Sequence, residues 1–341
     1  MSNLTPPSPS TTHAAKAATG TPVLEVRDLQ VHFQKDGGLF QARRTIRAVD
    51  GVSFQVKAGE TLGLVGESGC GKSTTARAIM RLVQPTAGQI FLDGARIDAL
   101  SSSELFPIRK KMQMIFQDPF ASLNPRMTAA RIIREPMDIL GLYTAEERPL
   151  EVLRLMELVG LSPHQMQKYP HEFSGGQRQR IGIARALAAQ PKLIVCDEPV
   201  SALDVSIQAQ VVNLLSELQE KLGLAYLFIS HDLAVVRHLS QQIGVMYLGR
   251  LVELTTSDRL YQGPKHPYTQ ALFSSIPIAD PVQEKERQGT ILSGEVPSPD
   301  KVYPGCAFAD RCPIAEAICK EKRPPLLGTV HQVACHKAEA V

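Results

Sequence analysis

The sequence predicts an α/β fold with a mixed, mostly parallel core sheet, an antiparallel β-subdomain, a helical subdomain and a small C-terminal extension that contains cysteines. Three observations support this prediction. Short apolar segments typical of buried strands alternate with helix-length segments, a pattern typical of a parallel sheet covered by helices. Residues 128–170 carry apolar side chains at helical spacing. After Gln262 the chain becomes rich in Pro, Gly and Cys.

The composition excludes several classes of function. The net charge of the 341 residues is only +3, and no long run of basic residues indicates a nucleic-acid binder. No apolar stretch approaches the about 18 residues of a membrane span. Residues 1–22 consist mainly of Ser, Thr, Pro and Ala without the apolar core of a signal peptide, so we expect a disordered tail and a cytosolic protein.

The first half of the folded region has the pattern of a small β-subdomain. Residues 23–56 alternate between apolar and polar side chains, which predicts antiparallel strands around a polar loop at residues 34–44. Residues 89–92 precede an Asp-Gly turn and form another predicted strand. Residues 112–116 form the next strand, which ends near Gln117.

A glycine-rich loop between a predicted strand (residues 61–65) and a predicted helix (residues 74–83) is the strongest functional signal. Its glycines allow successive backbone N–H groups to face one anion. Lys72 adds a positive charge for the β- and γ-phosphates, and Ser73 is placed to bind Mg²⁺. A turn that only starts a helix is the alternative, but the strand and helix on either side favour a nucleoside triphosphate site. The predicted binding residues are Gly66, Glu67, Ser68, Gly69, Cys70, Gly71, Lys72, Ser73 and Thr74.

The α/β alternation returns after the helical insert. We predict strands at residues 193–196, 225–229, 243–248 and 250–254, and a helix at residues 207–222. The first of these strands ends in two acids, Asp197 and Glu198. Asp197 would hold Mg²⁺, directly or through water, and Glu198 would polarise the attacking water.

A second anion site is predicted at residues 174–177, Ser-Gly-Gly-Gln, where Ser174 caps a predicted helix over residues 178–189. Because the chain already has a phosphate loop, this second site suits the γ-phosphate of a neighbouring subunit. A flexible capped turn remains the alternative. Gln117, His231 and the segment at residues 201–204 are weak signals when each is taken alone.

Taken together and in this order, these motifs resemble the nucleotide-binding subunits of ATP-binding-cassette (ABC) transporters, which are P-loop ATPases, over residues 23–262. The glycine-rich loop is similar to their Walker A motif, and residues 193–198 to Walker B with Glu198 as its catalytic glutamate. Gln117 resembles the Q-loop glutamine, which also contacts Mg²⁺, and His231 the switch histidine. The signature is matched by Ser174, Gly175, Gly176 and Gln177, and the D-loop by residues 201–204 with Asp204.

The resemblance implies a head-to-tail dimer that holds two ATP molecules between the P-loop of one subunit and the signature of the other. It also implies a helical subdomain at about residues 120–185 and an aromatic side chain stacked on adenine. Phe33 is the first candidate for that aromatic, and Phe40 is the second.

The C-terminal residues 263–341 indicate which group of ABC transporter ATPases the chain resembles. His-Pro-Tyr-Thr-Gln-Ala-Leu at residues 266–272 and Tyr-Pro-Gly-Cys at residues 303–306 resemble the extension of dipeptide and oligopeptide importer ATPases, closest to the second ATPase subunit of the dipeptide type. This implies a non-identical ATPase partner, two transmembrane permease subunits and an extracytoplasmic substrate-binding protein. The chain would then act at the cytoplasmic face of the inner membrane.

Four cysteines in this extension have spacings of five, six and fifteen intervening residues. In a reducing compartment such a cluster favours a soft metal centre over disulfides. The spacing lacks the close pairs of zinc ribbons, so we predict a [4Fe–4S] cluster, with Zn²⁺ or free thiols as alternatives. The cysteines are Cys306, Cys312, Cys319 and Cys335.

The alternatives to ATP-driven peptide import are the import of another cargo, a cassette ATPase that is not a transporter subunit, and a cassette without catalytic activity. Nickel, glutathione or oligosaccharide import would leave a similar ATPase sequence, since the ATPase subunit does not contact the cargo. A cassette that acts on DNA or ribosomes is disfavoured because the chain has one P-loop, no long heptads and no basic patch. A non-catalytic cassette is disfavoured by the presence of Glu198 and His231.

Overall fold

The computed structural model describes residues 21–35, 44–274, 297–298 and 300–338. The predicted tail up to residue 20 and the alternative adenine-stacking residue Phe40 therefore lie outside the described residues. In the described ranges, no helix has both the length and the apolar character needed to cross a bilayer.

The strands follow the alternation of apolar residues closely. In chain order they are β1 (Leu24–Lys35), β2 (Arg44–Val56), β3 (Thr61–Val65), β4 (Ala87–Leu92), β5 (Ala95–Arg96), β6 (Met112–Ile115), β7 (Leu193–Asp197), β8 (Ala225–Ile229), β9 (Gln242–Tyr247), β10 (Arg250–Thr256) and β11 (Gln332–Val333).

The helices lie between these strands. They are α1 (Lys72–Ile79), α2 (Ser102–Leu105), α3 (Ala129–Leu140), α4 (Glu147–Leu158), α5 (Gly175–Leu187), α6 (Val205–Leu222), α7 (Leu233–Leu239), α8 (Ser257–Gln262), α9 (Pro267–Ser274) and α10 (Ala317–Glu321). Short 3₁₀ helices cover Phe106–Lys111, Pro163–Gln165, Pro170–Glu172 and Ala309–Arg311.

The main sheet has seven strands in the order β11-β10-β9-β3-β8-β7-β6. The pairs from β9 through β6 are parallel, whereas β10 pairs antiparallel with β9 and β11. A second sheet, in the order β2-β1-β4-β5, is entirely antiparallel. The predicted combination of a mostly parallel core sheet and an antiparallel β-subdomain is confirmed.

The main sheet separates two apolar cores. Leu193 and Val195 of β7 face the core shared with the antiparallel sheet and α1, whereas Ile194 and Cys196 face the core shared with helices α3 to α6. Because successive side chains of a strand point to opposite faces, a strand buried on both faces must be apolar throughout. This explains the continuous apolar runs of β3, β7 and β8.

Three helices have boundaries that differ from the sequence predictions, each for a local reason. Helix α1 begins at Lys72 instead of residue 74 and ends at Ile79 instead of residue 83, because Arg81 has a left-handed φ of 52°. Helix α5 begins at Gly175 because Ser174 is its cap, so the signature glycines lie in the first turn. Helix α6 begins at Val205, where the Asp204 carboxylate accepts the Ile207 N–H at 3.1 Å.

The segment after Gln262 packs against the ATPase core. Tyr268 and Phe308 are buried in the same core as helices α3 to α6, and β11 adds an edge strand to β10. Glu253 of β10 is fully buried and accepts the backbone N–H groups of Lys265 and His266 at 2.8 and 2.9 Å. His331, just before β11, lies 2.5 Å from the same carboxylate through Nε2.

We predict that His331→Ala lowers the free energy of unfolding by about 3 kcal/mol, because it leaves the fully buried Glu253 carboxyl without its side-chain hydrogen-bond partner. Thermal or urea unfolding of the full chain measures the change. His238→Ala, at an exposed position of α7, is the control and should unfold like the wild type. Equal stability of the His331 variant and the wild type would contradict this role of His331.

Candidate functional site

The glycine-rich loop adopts a conformation that only glycine tolerates at its most crowded positions. Gly66 has a φ of 149°, and a Cβ there would lie 2.2 Å from the Met246 carbonyl oxygen. Gly71 has a φ of 107°, and a Cβ there would lie 2.1 Å from the Ala48 carbonyl oxygen. The loop therefore follows the neighbouring strands closely and leads directly into α1.

Lys72 and Ser73 open α1 at the base of a cleft. The Lys72 side chain is buried, and Nζ donates to the carbonyl oxygens of Gly66 at 2.8 Å and Glu67 at 3.0 Å. Ser73 Oγ donates to Asp197 Oδ1 at 2.7 Å. Burial raises the pKa of the Asp197 carboxyl, while the Ser73 hydrogen bond and the nearby cations Arg77 and Lys72 oppose this rise. A hydroxyl beside a carboxylate provides the oxygen ligands that Mg²⁺ prefers.

Glu198 contacts the other two predicted catalytic side chains, Gln117 and His231. Its Oε2 accepts a hydrogen bond from Gln117 Nε2 at 3.1 Å and lies 3.3 Å from His231 Nδ1. Its backbone has a φ of 47°, and its N–H donates to the Ile229 carbonyl at 3.0 Å. Left-handed backbone at a non-glycine residue costs about 1–3 kcal/mol and is concentrated at functional sites.

These groups line one cleft of about 440 Å³, within the size range of small-molecule sites. Gly66, Glu67 and Cys70 form the rear of the loop and do not line this cleft. Ala48 is a lining residue that the sequence analysis missed, because nothing in the alternating pattern of β2 distinguishes it. The lining residues are Ala48, Ser68, Gly69, Gly71, Lys72, Ser73, Thr74, Gln117, Glu198 and His231.

The predicted signature forms a capped helix end away from this cleft. Ser174 Oγ accepts the Gln177 N–H at 3.3 Å, and Gln177 Oε1 accepts the Ser174 N–H at 3.0 Å. Gly176 is packed against Ile207, where a Cβ would come within 2.4 Å of the Ile207 side chain. Neither these residues nor Asp204 line the cleft of the same chain.

Phe33, the first candidate for an adenine-stacking residue, lies on β1 opposite Ile46. Its side chain is 41% exposed, and it does not line the phosphate cleft. The exposed ring therefore lies on the β-subdomain. Its strand partner Ile46 is two residues along β2 from the lining residue Ala48.

The four C-terminal cysteines lie around one pocket, beside His266 and Phe308. All four are free thiols, and the Cys306 N–H donates to the Cys319 carbonyl at 2.7 Å. Burial, with a smaller contribution from the other three thiols, raises the pKa of Cys306 to about 11. However, no three His, Cys, Asp or Glu side chains in the described part of the chain form a group that could hold a metal ion. The donor chemistry fits a soft metal, whereas the present spacing of the donors does not form a coordination shell.

Two residues of the C-terminal segment contact the glycine-rich loop, and the sequence analysis assigned neither to the site. Arg311 forms an ion pair with the Glu67 carboxylate, and the Tyr268 hydroxyl accepts the Glu67 N–H. Tyr268 lies in the first turn of α9, which begins at Pro267, and His266 Nδ1 accepts the Tyr268 N–H at 3.1 Å. Because Tyr268 lies 201 residues from Glu67 in the sequence, no local pattern indicated the contact between them.

Two family models match the chain. The model described as "ABC transporter" matches residues 49–201, and the model described as "Oligopeptide/dipeptide transporter, C-terminal region" matches residues 252–319. The first match covers the cleft residues from Ser68 to Glu198, and the second covers the segment that contains Arg311.

Curated relatives resemble the chain over most of its length. The putative oligopeptide transport ATP-binding protein YkfD of Bacillus subtilis is 58% identical over 318 residues, which is 92% of this chain and 95% of the relative. The oligopeptide transport ATP-binding protein OppF of Escherichia coli is 54% identical over 322 residues, 93% of this chain and 96% of the relative.

Solved structures share the fold. A dimeric, post-hydrolysis state of the ATP-binding cassette MJ0796 bound to ADP and Pi has a TM-score of 0.62 at 30% identity. It corresponds to 69% of this chain and 98% of that chain. CbiO1 of Clostridium perfringens, part of an ABC transporter complex, has a TM-score of 0.62 at 26% identity and corresponds to 71% of this chain and 91% of its own.

We predict that Gly71→Ala destabilises the chain by more than about 4 kcal/mol, since its Cβ would overlap a backbone carbonyl in addition to the strain of a positive φ. Thermal unfolding measures the loss. Gly69→Ala is a matched control because Gly69 also has a positive φ, of 79°, but no atom within 4 Å of the added Cβ. It should cost only the backbone strain of about 1–2 kcal/mol. Equal losses for the two variants would show that crowding at Gly71 is unimportant.

Proposed function

This chain belongs to the ATP-binding proteins of oligopeptide ABC transporters, and we propose that it hydrolyses ATP to drive the import of di- and oligopeptides across the inner membrane. The observation that carries this proposal is the convergence of Glu198, Gln117 and His231 beside the phosphate-binding loop. The printed function of the relatives, oligopeptide transport, supports the assignment of the cargo.

We assign the chemical roles from the contacts around the cleft. The loop N–H groups and Lys72 would bind the phosphates, and Ser73, Asp197 and Gln117 would hold Mg²⁺, which supplies charge neutralisation when bound. Glu198 would accept a proton from the attacking water, since its carboxylate lines the cleft that the phosphates would occupy, where Gln117 and His231 fix its position. His231 is 62% exposed, so it is free to contact a γ-phosphate in the cleft.

The signature and D-loop would act on a second subunit. Ser174, Gly175, Gly176, Gln177 and Asp204 lie outside the cleft of their own chain, although the N-terminus of α5 is suited to bind an anion. The dimeric state in the printed title of the MJ0796 structure supports this arrangement. We propose that the second subunit is a homologous but non-identical ATPase.

We propose that the ATPase pair binds two transmembrane permease subunits at the cytoplasmic face of the inner membrane and receives cargo from an extracytoplasmic binding protein. Residues 117–126, which connect β6 to α3, would transmit closure of the ATPase dimer to the permeases. Nickel, glutathione or oligosaccharides are alternative cargoes, and an uptake assay distinguishes them from peptides.

We also propose that Phe33 stacks on adenine. Its partly exposed ring on β1 supports this role.

The four cysteines would hold a [4Fe–4S] cluster, with Zn²⁺ as the alternative. Their position around one pocket supports the proposal, and binding would require the four thiols to move into a common coordination shell. A metal centre held by these cysteines would stabilise a segment that has little regular structure.

Replacement of the proposed general base tests the function. Glu198→Gln should retain ATP binding, since the amide keeps the shape of the side chain, and lower the ATPase kcat by about 10²–10⁴-fold. Uptake of a labelled dipeptide, in cells that lack other peptide importers, should be lost with this variant.

Glu217→Gln is the control, because Glu217 is an exposed residue of α6 that does not line the cleft. Near-normal ATP turnover by Glu198→Gln would refute the assignment of the base. Unchanged peptide uptake alongside a loss of turnover would refute only the peptide cargo.

Metal analysis of the purified chain tests the cysteine proposal. Bound iron and sulfide with visible absorption should be present in the wild type and lost in Cys319→Ser. Cys70→Ala, a change at a buried cysteine outside the pocket, should keep the metal. Zinc in place of iron would favour the alternative, and absence of both metals would refute a metal centre.

A further inference from the structure

The C-terminal segment forms a bidentate ion pair with the phosphate-binding loop. Arg311 Nη1 donates to Glu67 Oε2 at 3.1 Å, and Nη2 donates to Glu67 Oε1 at 3.2 Å. The Arg311 side chain is only 7% exposed. Paired, parallel hydrogen bonds between a guanidinium and a carboxylate fix orientation as well as distance.

A second contact holds the backbone of the same loop residue. The Glu67 N–H donates to the Tyr268 hydroxyl at 2.8 Å, and Tyr268 is fully buried. The Tyr268 ring packs against Tyr247 and Phe308, with ring centres 4.6 and 5.5 Å apart. Tyr247 also accepts a hydrogen bond from Arg311 Nη1 at 3.3 Å. The hydroxyl that holds Glu67 is therefore fixed by a buried aromatic cluster.

Glu67 in turn positions the lysine of the loop. Lys72 Nζ donates to the Glu67 carbonyl at 3.0 Å. Its other close oxygen partner is the Gly66 carbonyl, at 2.8 Å. A displacement of the Glu67 backbone would thus move an acceptor that orients the ammonium group.

We infer that Arg311 and Tyr268 are positioning residues for ATP binding, which clamp Glu67 and thereby hold the phosphate-binding loop and Lys72 in their binding geometry. The inference rests on the proposed function of the cleft as an ATP site. It makes nucleotide affinity depend on the C-terminal segment, although neither Arg311 nor Tyr268 lines the cleft.

Loss of the clamp weakens binding because the loop must then be ordered by the nucleotide itself. The cost of that ordering is subtracted from the binding free energy. Since Arg311 and Tyr268 have no hydrogen bond to Gln117, Glu198 or His231 among the described residues and reach the cleft through Glu67, loss of the clamp raises the KM for ATP and leaves kcat nearly unchanged.

The test measures the dissociation constant for ATP by titration calorimetry on the full chain, with thermal unfolding as a check of folding. Arg311→Met, Glu67→Gln and Tyr268→Phe should each weaken ATP binding roughly tenfold, the range of an ordinary coupling between two sites. Arg311→Lys keeps the positive charge but cannot form the two parallel hydrogen bonds, so its affinity for ATP should lie between those of Arg311→Met and the wild type. The double variant with Arg311→Met and Glu67→Gln should lose little more than Arg311→Met alone, since both changes break the same pair.

Two controls separate the inference from the proposed site. Lys320→Met removes an exposed cation of the same segment, 3.9 Å from Asp310, and should bind ATP like the wild type. Lys72→Ala should abolish tight binding, and its failure to do so would refute the ATP site itself.

If Lys72→Ala loses ATP binding but the three clamp variants bind ATP with wild-type affinity, the inference about the clamp is refuted and the ATP site is not. If Arg311→Met does not fold, Tyr268→Phe and Glu67→Gln decide the result, because each preserves the size of its side chain.

Discussion

The parallel alignment of β3, β8, β7 and β6 is the constraint on which the site depends. The chain leaves the carboxyl ends of these strands at one edge of the sheet, and each exit carries one part of the site: the glycine-rich loop after β3, His231 after β8, Asp197 and Glu198 at β7, and Gln117 after β6. The Ser73–Asp197 hydrogen bond joins the start of α1 to β7 across this edge. Four segments far apart in sequence thereby meet in one cleft.

Close backbone packing keeps this edge rigid. The glycine-rich loop passes so near β2 and β9 that side chains at Gly66 or Gly71 would overlap carbonyl oxygens of Met246 or Ala48. The Gly249 N–H, in the turn after β9, donates to the Cys70 carbonyl at 2.8 Å. The antiparallel sheet and the main sheet thus both shape the glycine-rich loop.

The C-terminal segment completes this arrangement. It adds β11 to the sheet, buries Tyr268 and Phe308 in the larger core and contacts Glu67 with Arg311. Arg311 directly precedes Cys312, so the side chain that contacts Glu67 belongs to the residue next to the cysteine pocket.

Most strands, the two kinds of sheet and most of the cleft residues could be predicted from the sequence, because buried strands, helix caps and glycine-rich turns leave local patterns in consecutive residues. Glu198 was predicted from the acidic pair at the end of a buried strand, whereas Gln117 and His231 were assigned by resemblance, and the structure brings the three together. Only the tertiary structure decided the contacts of Glu67 with Arg311 and Tyr268 and of Glu253 with His331, since these partners lie between 78 and 244 residues apart. A hydrogen bond between such distant residues depends on how whole elements pack, and no local pattern encodes that packing.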